Sequence, residues 1–465
     1  MLSRRQALAS AASLLPFALG AQSDARPNVL FLSVDDMNDY GFHRAYPGVK
    51  MPYLDAFRKT AIRFERAYCT APACIPSRAS LFSGLHPHRT GAYRNGSDPW
   101  TKGVFPSTES LPEVFHRNGY TTFGRGKNFH APLPKEREAA MWDNEYWGGG
   151  FGPFPPEKDQ VAGQFWGTTA WEGPDEDFPD VKNARAAIEF LGQSHEKPFF
   201  LALGVWRPHT PFTAPKRFFD LYRDVEIPFP PPGYREGDLA DVSDGARELA
   251  AAWGERFEIS GAGNPALWQR FLRAYFATTS FADWSIGSVI EALDKSRYAR
   301  NTIVVLWSDN GYHCGEKDHW EKTTLWEKSC LVPAAIRVPG SAHAGANCTR
   351  IVSLLDLYPT LIDLCGISPP KHALDGHSLR PLVENPRAPW DRAALTTYGE
   401  GLGTVRDEHY RYIVYPSGEE ELYDHRSDPH EFDNLAGKAE LAPARERLRK
   451  EIPKAWAPTM GGRLG

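Results

Sequence analysis

Residues Asn28-Val29-Leu30-Phe31-Leu32-Ser33-Val34 form a nearly unbroken apolar run that stops at Asp35-Asp36. A run of this length without polar alternation predicts a parallel strand buried on both faces. Tyr120–Phe123, Pro198–Val205 and Thr302–Trp307 predict further strands of the same kind. Between them the period lengthens to that of a helix. Val181, Ala184, Ile188 and Leu191 share one face, and a second helix is expected over about Trp268–Leu293. Strands alternating with helices predict an α/β sandwich on a mostly parallel sheet.

After about residue 385 the pattern changes. Ala394–Tyr398, Tyr410–Tyr415 and Glu421–Tyr423 are short runs separated by Gly and Pro turns, which predicts a small antiparallel sheet. A charged helix over about Ala439–Ile452 is expected to follow. With 465 residues, the chain divides into a large unit, 22–385, and a smaller C-terminal one, 386–465. Pro228–Pro232 reads as a surface loop, and loops such as Glu236–Asn264 are not placed by pattern alone.

Composition narrows the class. A hydrophobic fraction of 42% with 14 Trp fits a packed globular protein. The formal charge of -5 carries no basic excess, which argues against nucleic acid as a partner. An anionic substrate would need a local cationic pocket. Ser3-Arg4-Arg5 precedes a short apolar stretch from Ala7 to Leu19, with small residues around Ala18-Leu19-Gly20. That stretch is too short to span a bilayer and predicts an export signal over 1–21. It resembles a twin-arginine signal, although Ala7 stands where a large apolar residue is usual. The expected location is the periplasm of a bacterium, without stable membrane insertion; a disordered tail is the plainer alternative. Cys69, Cys74, Cys314, Cys330, Cys348 and Cys365 are irregularly spaced and make no disulfide framework. If Cys74 is converted, five remain, an odd number compatible with folding before export.

Ligands of open α/β sheets bind at the carboxyl ends of strands. Asp35-Asp36 follow the first predicted strand and Asp309-Asn310 follow Thr302–Trp307. Together they offer an oxygen-rich site for a hard divalent cation, whose absence would leave costly repulsion. The plainer alternative is that Asp35-Asp36 cap a turn. The segment Cys74-Ile75-Pro76-Ser77-Arg78-Ala79-Ser80-Leu81-Phe82-Ser83-Gly84 reads as a short helix closed by glycine. A thiol at its N-terminus would have a lowered pKa and could be a nucleophile or redox centre. A buried, inert cysteine is the plainer possibility. His313, Cys314, His319 and Trp320 suggest zinc only superficially, because their spacing fits no usual zinc site.

At its cysteine, proline and arginine, the Cys74 segment resembles the signal by which maturation enzymes oxidise a cysteine to formylglycine, the aldehyde of type I sulfatases. Asp35-Asp36, Gly126-Lys127-Asn128-Phe129-His130, Arg207-Pro208-His209-Thr210-Pro211-Phe212 and Ser308-Asp309-Asn310-Gly311 stand in the order seen in that family. Gly315-Glu316 and Trp320-Glu321-Lys322 continue the likeness. Glu421-Leu422-Tyr423-Asp424, Asp428-Pro429 and Asn434-Leu435-Ala436 resemble its end module. The Lys-x-x-His and Pro-His-x-Pro-Phe forms are most similar to the iduronate-2-sulfatase branch, which often carries histidine where Asn310 stands.

The resemblance implies an alkaline-phosphatase-like α/β fold and a sulfuric ester hydrolase. The implied substrate is a sulfated sugar, within a uronic-acid-containing polysaccharide fragment. It implies one Ca²⁺ bound by Asp35, Asp36, Asp309, Asn310 and the modified Cys74, and a formylglycine-generating maturation enzyme as partner. By the same likeness, the hydrated aldehyde at Cys74 attacks sulfur and His130 deprotonates its second hydroxyl to expel sulfate. Arg78 and Lys127 would orient the diol, while His209 and Lys322 bind sulfate and help protonate the leaving oxygen. Lys322 competes for its role with nearby Lys317 and Lys328. Trp206, Arg207 and Trp320 are candidates for sugar recognition by stacking and carboxylate pairing, or else parts of a packed loop. Two alternatives stay open: a phosphomonoester or phosphonate hydrolase of the same superfamily, and a non-catalytic glycan-binding protein with unmodified Cys74.

Overall fold

A computed structural model describes residues 26–130, 132–257 and 264–461, so the expected export signal lies outside the described residues. Asn28–Asp35 forms the expected strand, with all eight residues buried. It lies parallel to Phe199–Pro208 on one side and to Thr302–Ser308 on the other, and Thr121–Gly126 extends the sheet beyond Phe199–Pro208. Leu30, Leu32 and Val34 face one apolar layer, covered by the helices Pro179–Gly192 and Pro265–Lys295. Val29 and Phe31 face the other, covered by Cys74–Ser83, Leu111–Arg117 and Leu357–Cys365. Two covered faces explain why these strands read as continuous apolar runs.

The sheet has eight strands and becomes antiparallel beyond Thr302–Ser308, where Ala334–Arg337 pairs with it and with Ile62–Tyr68. Leu331–Val332, antiparallel, and Asn347–Ser353, parallel, complete that side on Ile62–Tyr68. None of these four strands stands out in the sequence. Arg63, Glu65 and Arg66 interrupt the apolar pattern of Ile62–Tyr68, because this strand is only partly covered. Leu331–Val332 is too short to show any period.

A separate antiparallel sheet has the order Ala394–Gly399, Leu402–Arg406, Tyr410–Val414 and Glu420–Asp424. The charged C-terminal helix is shorter than expected, a 3₁₀ turn at Ala439–Leu441 followed by Ala442–Arg449. Within the unplaced Glu236–Asn264 stretch, Asp244–Phe257 is helical. It is tied to the small sheet where Ser243 donates from N and Oγ to Glu421 Oε1, at 3.1 and 3.0 Å. The small sheet also reaches the loop before Cys74, since Thr397 N donates to Thr70 O at 2.9 Å. Among the described residues, no helix is long and apolar enough to cross a membrane.

Candidate active site

Four backbone devices converge at the carboxyl end of the Asn28–Asp35 strand. Asp36 adopts a left-handed backbone (φ 61°), which turns its carboxylate back over the strand end. Cys74 opens the Cys74–Ser83 helix, which Gly84 closes in the left-handed conformation. Gly126 (φ 74°) ends the Thr121–Gly126 strand and swings Lys127 inward; a Cβ there would fall 1.8 Å from Gly204 O. Lys322 sits between Glu321 (φ 88°) and Thr323 (φ 75°), both left-handed, and His319 Nε2 lies 2.8 Å from its carbonyl.

These devices bring three carboxylates and three cations together, all buried. Lys127 Nζ donates to Asp35 Oδ2. Lys322 Nζ donates to both oxygens of Asp36, at 2.7 and 2.8 Å. Arg78 Nε donates to Asp309 Oδ2 at 2.8 Å, and its Nη1 donates to the Lys127 carbonyl. Cys74 Sγ lies 3.5 Å from Asp35 Oδ1 and 3.2 Å from Lys322 Nζ. Asn310 Nδ2 donates to Asp36 Oδ1 at 2.7 Å, and His209 Nε2 stands 3.6 Å from Asp36 Oδ2. The ambiguity among the lysines is resolved in space: Lys317 pairs with Asp238 and Lys328 with Asp39, leaving Lys322 beside Cys74.

Asp35, Asp36 and Asp309 each offer an oxygen within 4.8 Å of the others. Asn310 Oδ1 is buried without a hydrogen-bond partner. A set of carboxylate and amide oxygens with one acceptor unsatisfied fits a hard divalent cation.

Burial acts on every group here, and the neighbours decide the outcome. It would raise the Asp35 carboxyl, but Lys127, Arg78 and Lys322 outweigh it and hold the group at about 2. For Asp36 burial prevails, helped by repulsion from Asp35 and Asp309 and opposed by Lys322, and raises the carboxyl to about 6. Burial and the Asp35 charge push the Cys74 thiol well above its ordinary value. This corrects the expectation of a thiol lowered by its helix N-terminus: the helix dipole does not offset full desolvation and the Asp35 charge. Burial and the neighbouring lysines hold His130 and His209 well below the ordinary histidine value, so both rings are neutral. His209 Nδ1 faces Thr210 O at 2.6 Å, which assigns the proton to Nδ1 and leaves Nε2 unprotonated. His130 Nδ1 has no partner.

Two sugar-recognition candidates are corrected. Trp320 is fully buried against Phe271 in the core. Arg207 is buried too, donating to the carbonyls of Thr213 and Phe151, so it has no free face for a carboxylate. Trp206 does line the site, 5.0 Å from Lys127 Nζ, but its Nε1 is held by Gly148 O at 2.7 Å. The rings of His313 and His319 are engaged by Thr324 Oγ1 and by backbone carbonyls, an arrangement of hydrogen bonds and not of zinc ligands.

The sequence pattern missed several supporting groups. Tyr275, on the long helix, donates to Asp36 O and accepts from Asn38 N, both at 2.9 Å. Nothing local marks it, because its partners lie more than 200 residues away. Ser77 Oγ donates to Asp309 O at 2.5 Å, and its place inside the Cys74 segment was the available signal. Phe151, 4.7 Å from the His209 ring, comes from a Gly-rich stretch without regular pattern.

Residues 27–367 match the family described as Sulfatase, and residues 315–457 match one described as N-sulphoglucosamine sulphohydrolase, C-terminal. A sulfatase of Formosa agariphila is 35% identical over 459 residues, covering 93% of this chain and 87% of that protein. The iduronate 2-sulfatase of Homo sapiens is 26% identical over 461 residues, covering 82% and 80%. Among solved structures, the phosphonate monoester hydrolase of Agrobacterium radiobacter shares the fold with a TM-score of 0.72 at 23% identity, covering 92% of this chain and 94% of that one. The chain belongs to the sulfatase family, with its alkaline-phosphatase-like fold, and is a sulfuric ester hydrolase.

Proposed function

We propose that this sulfatase is exported to the periplasm, carries formylglycine at position 74, binds one Ca²⁺ and removes O-sulfate from a uronic-acid-containing sugar fragment. The placement of Cys74 carries the reading. Its sulfur lies between Lys322 Nζ and Asp35 on the buried floor of the site, where a thiolate is disfavoured. An aldehyde there supplies, when hydrated, a nucleophile that can release sulfate by re-forming its carbonyl, which a thiol or alcohol cannot. Asp35, Asp36, Asp309 and Asn310 are the groups that would hold Ca²⁺ beside residue 74. Three cations already balance three carboxylates, so a divalent cation makes the pocket net positive and complementary to a sulfate monoester.

The protein's own groups divide the remaining work. Arg78 locks Asp309 in place and spans to the Lys127 carbonyl, fixing the two walls of the site relative to each other. Lys127 and Lys322 present positive charge in a desolvated pocket, where it acts strongly on developing negative charge. Lys322 stays protonated because Asp36 and its other anionic neighbours offset the cost of burial, and it is the donor toward the leaving oxygen. Neutral His130 accepts a proton from the group at position 74. His209, with its proton on Nδ1, presents Nε2 to the same space as an acceptor. The sulfate-binding and proton-donating role that the resemblance implies for it would require a protonated ring, and in this tautomer that role falls to Lys322.

Mass spectrometry of the tryptic peptide Ala67–Arg78 tests the reading; conversion of CH₂SH to CHO removes about 18 Da. Fully active enzyme with a quantitatively unmodified Cys74 would overturn it. Sulfate and phosphate esters of one aryl alcohol, assayed in parallel, separate this activity from that of the phosphonate hydrolases sharing the fold. Export is tested by the N-terminus of the native protein, expected near Ala21 or Gln22.

A further inference from the structure

Arg78, Lys127 and Lys322 each have a carboxylate partner. A fourth cation, on the loop tied to the first turn of the Cys74 helix, has none among the described residues. Arg94 is half-buried, and Asn95 next to it accepts the amide proton of Ile75 at 3.0 Å, which pins this loop to the first turn of the Cys74 helix. Arg94 Nε donates to Tyr398 O at 3.3 Å, and the guanidinium carbon lies 5.3 Å from the centre of the Tyr398 ring. Those contacts hold the base of the fork and leave Nη1 and Nη2 with no hydrogen bond among the described residues. Tyr398 belongs to the same apolar cluster as Ala73, the residue before Cys74. Burial pushes the Tyr398 hydroxyl up to about 12, with Arg94, Glu321 and Lys322 acting on it as neighbouring charges. Arg94 and the Cys74 site therefore share one wall. Oε1 of Glu400 accepts from Thr459 N and Oγ1, at 2.7 and 2.9 Å, and no ion pair joins Glu400 to Arg94 among the described residues.

A half-buried guanidinium stacked on an aromatic ring, with its two-pronged end unbonded, is preorganised for an anion that presents two oxygens. We infer that Arg94 is a specificity determinant: it pairs with a second anionic group of the sugar, the ring carboxylate of a uronic acid or a second sulfate. This rests on the sulfatase reading above. It also explains why Arg207 is unsuited to that task, since its guanidinium is bound to backbone on both sides.

Arg94→Gln and Arg94→Lys test it with four substrates: a monosulfated disaccharide bearing a carboxylate, its carboxyl-reduced counterpart, a disulfated disaccharide without carboxylate, and an aryl sulfate. Wild-type enzyme is expected to prefer a substrate with a second anion. Arg94→Gln should lose about 50-fold in kcat/KM on that substrate, mostly through KM, with a loss at least ten times smaller on the aryl sulfate. Arg94→Lys should recover part of the preference, since it keeps charge without the fork. The arm that suffers identifies the anion as carboxylate or sulfate. Equal losses on sugar and aryl substrates, or no loss on either, would overturn the inference. If wild-type enzyme hydrolyses no sulfate ester, the sulfatase reading itself fails and Arg94 falls with it. Intact aryl turnover with an unchanged sugar preference sinks only Arg94.

Discussion

Two buried charge clusters in this protein look alike in composition and differ in saturation. One is the Cys74 site; the other lies at the seam with the small sheet, where Glu327, His425 and Glu431 surround Arg411. Both bring three metal-capable side chains within 4.8 Å. At the seam Glu327, His425, Glu431 and Arg411 engage one another, while Arg406 Nε stands 3.8 Å from Glu327 Oε2 without a hydrogen bond. Arg411 donates to Glu431, Glu327, Leu325 O and Thr404 Oγ1; Glu431 also receives His425 Nε2 at 2.8 Å and Glu327 N at 2.7 Å. Around Cys74, Arg78 Nη2, His130 Nδ1 and Asn310 Oδ1 are all buried without a hydrogen bond among the described residues, Arg78 Nη2 having only Asp35 Oδ1 at 3.6 Å. The carboxylates respond accordingly. His425 and Arg411 overcome burial and hold Glu327 at about 2, and Arg411 and His425 also hold Glu431 low, whereas Asp35 and Asp36 split to about 2 and about 6. A saturated cluster joins two parts of a fold; an unsaturated one has capacity left for a ligand.

The largest expected effect comes from emptying the unsaturated cluster. Asp36→Ala and Cys74→Ala should each reduce kcat/KM by about 10³-fold or more while the far-UV spectrum and thermal transition persist. Chelation should act like Asp36→Ala and be reversed by Ca²⁺. Elemental analysis finding stoichiometric zinc and no calcium in active enzyme would count against the metal assignment.

Breaking the saturated cluster should do the reverse. Arg411→Met leaves Glu327 and Glu431 buried without their main counter-charge and should cost about 3–5 kcal/mol in denaturant unfolding. Specific activity of the remaining folded fraction should change far less. A smaller effect of the same origin is pH-dependent. Glu327 is depressed in the folded state from an ordinary 4.5 to about 2, so its contribution is complete above about 4.5 and is lost as pH falls toward 2. Glu327→Gln should flatten the decline of melting temperature in that window; an unchanged slope would locate acid lability elsewhere. The smallest effect belongs to Cys69, five residues before Cys74 and buried against Ser329 O. Cys69→Ala should keep most activity at a stability cost of about 1 kcal/mol.

What the sequence determined by itself is the set of features encoded locally. The apolar runs ending at Asp35-Asp36 and Asp309-Asn310, and the Cys74–Gly84 segment, carry their backbone geometry in neighbouring residues. They were legible for that reason, as were the helices over 179–192 and 265–295. Tertiary structure alone decided which charges meet. Three lysines within twelve residues are equivalent in sequence, yet left-handed turns at Glu321 and Thr323 send only Lys322 to Asp36 and Cys74. It also decided that Arg207 and Trp320 are packed inside and that Tyr275, from the long helix, supports Asp36 at the strand end. Arg94 acquires its stacking partner only when the small sheet closes on the Cys74 helix. Even the thiol's protonation depended on burial and on Asp35, not on the helix that begins with it. A side chain's chemistry is written in the chain; its partners, its solvent and therefore its pKa are set by what the fold places around it.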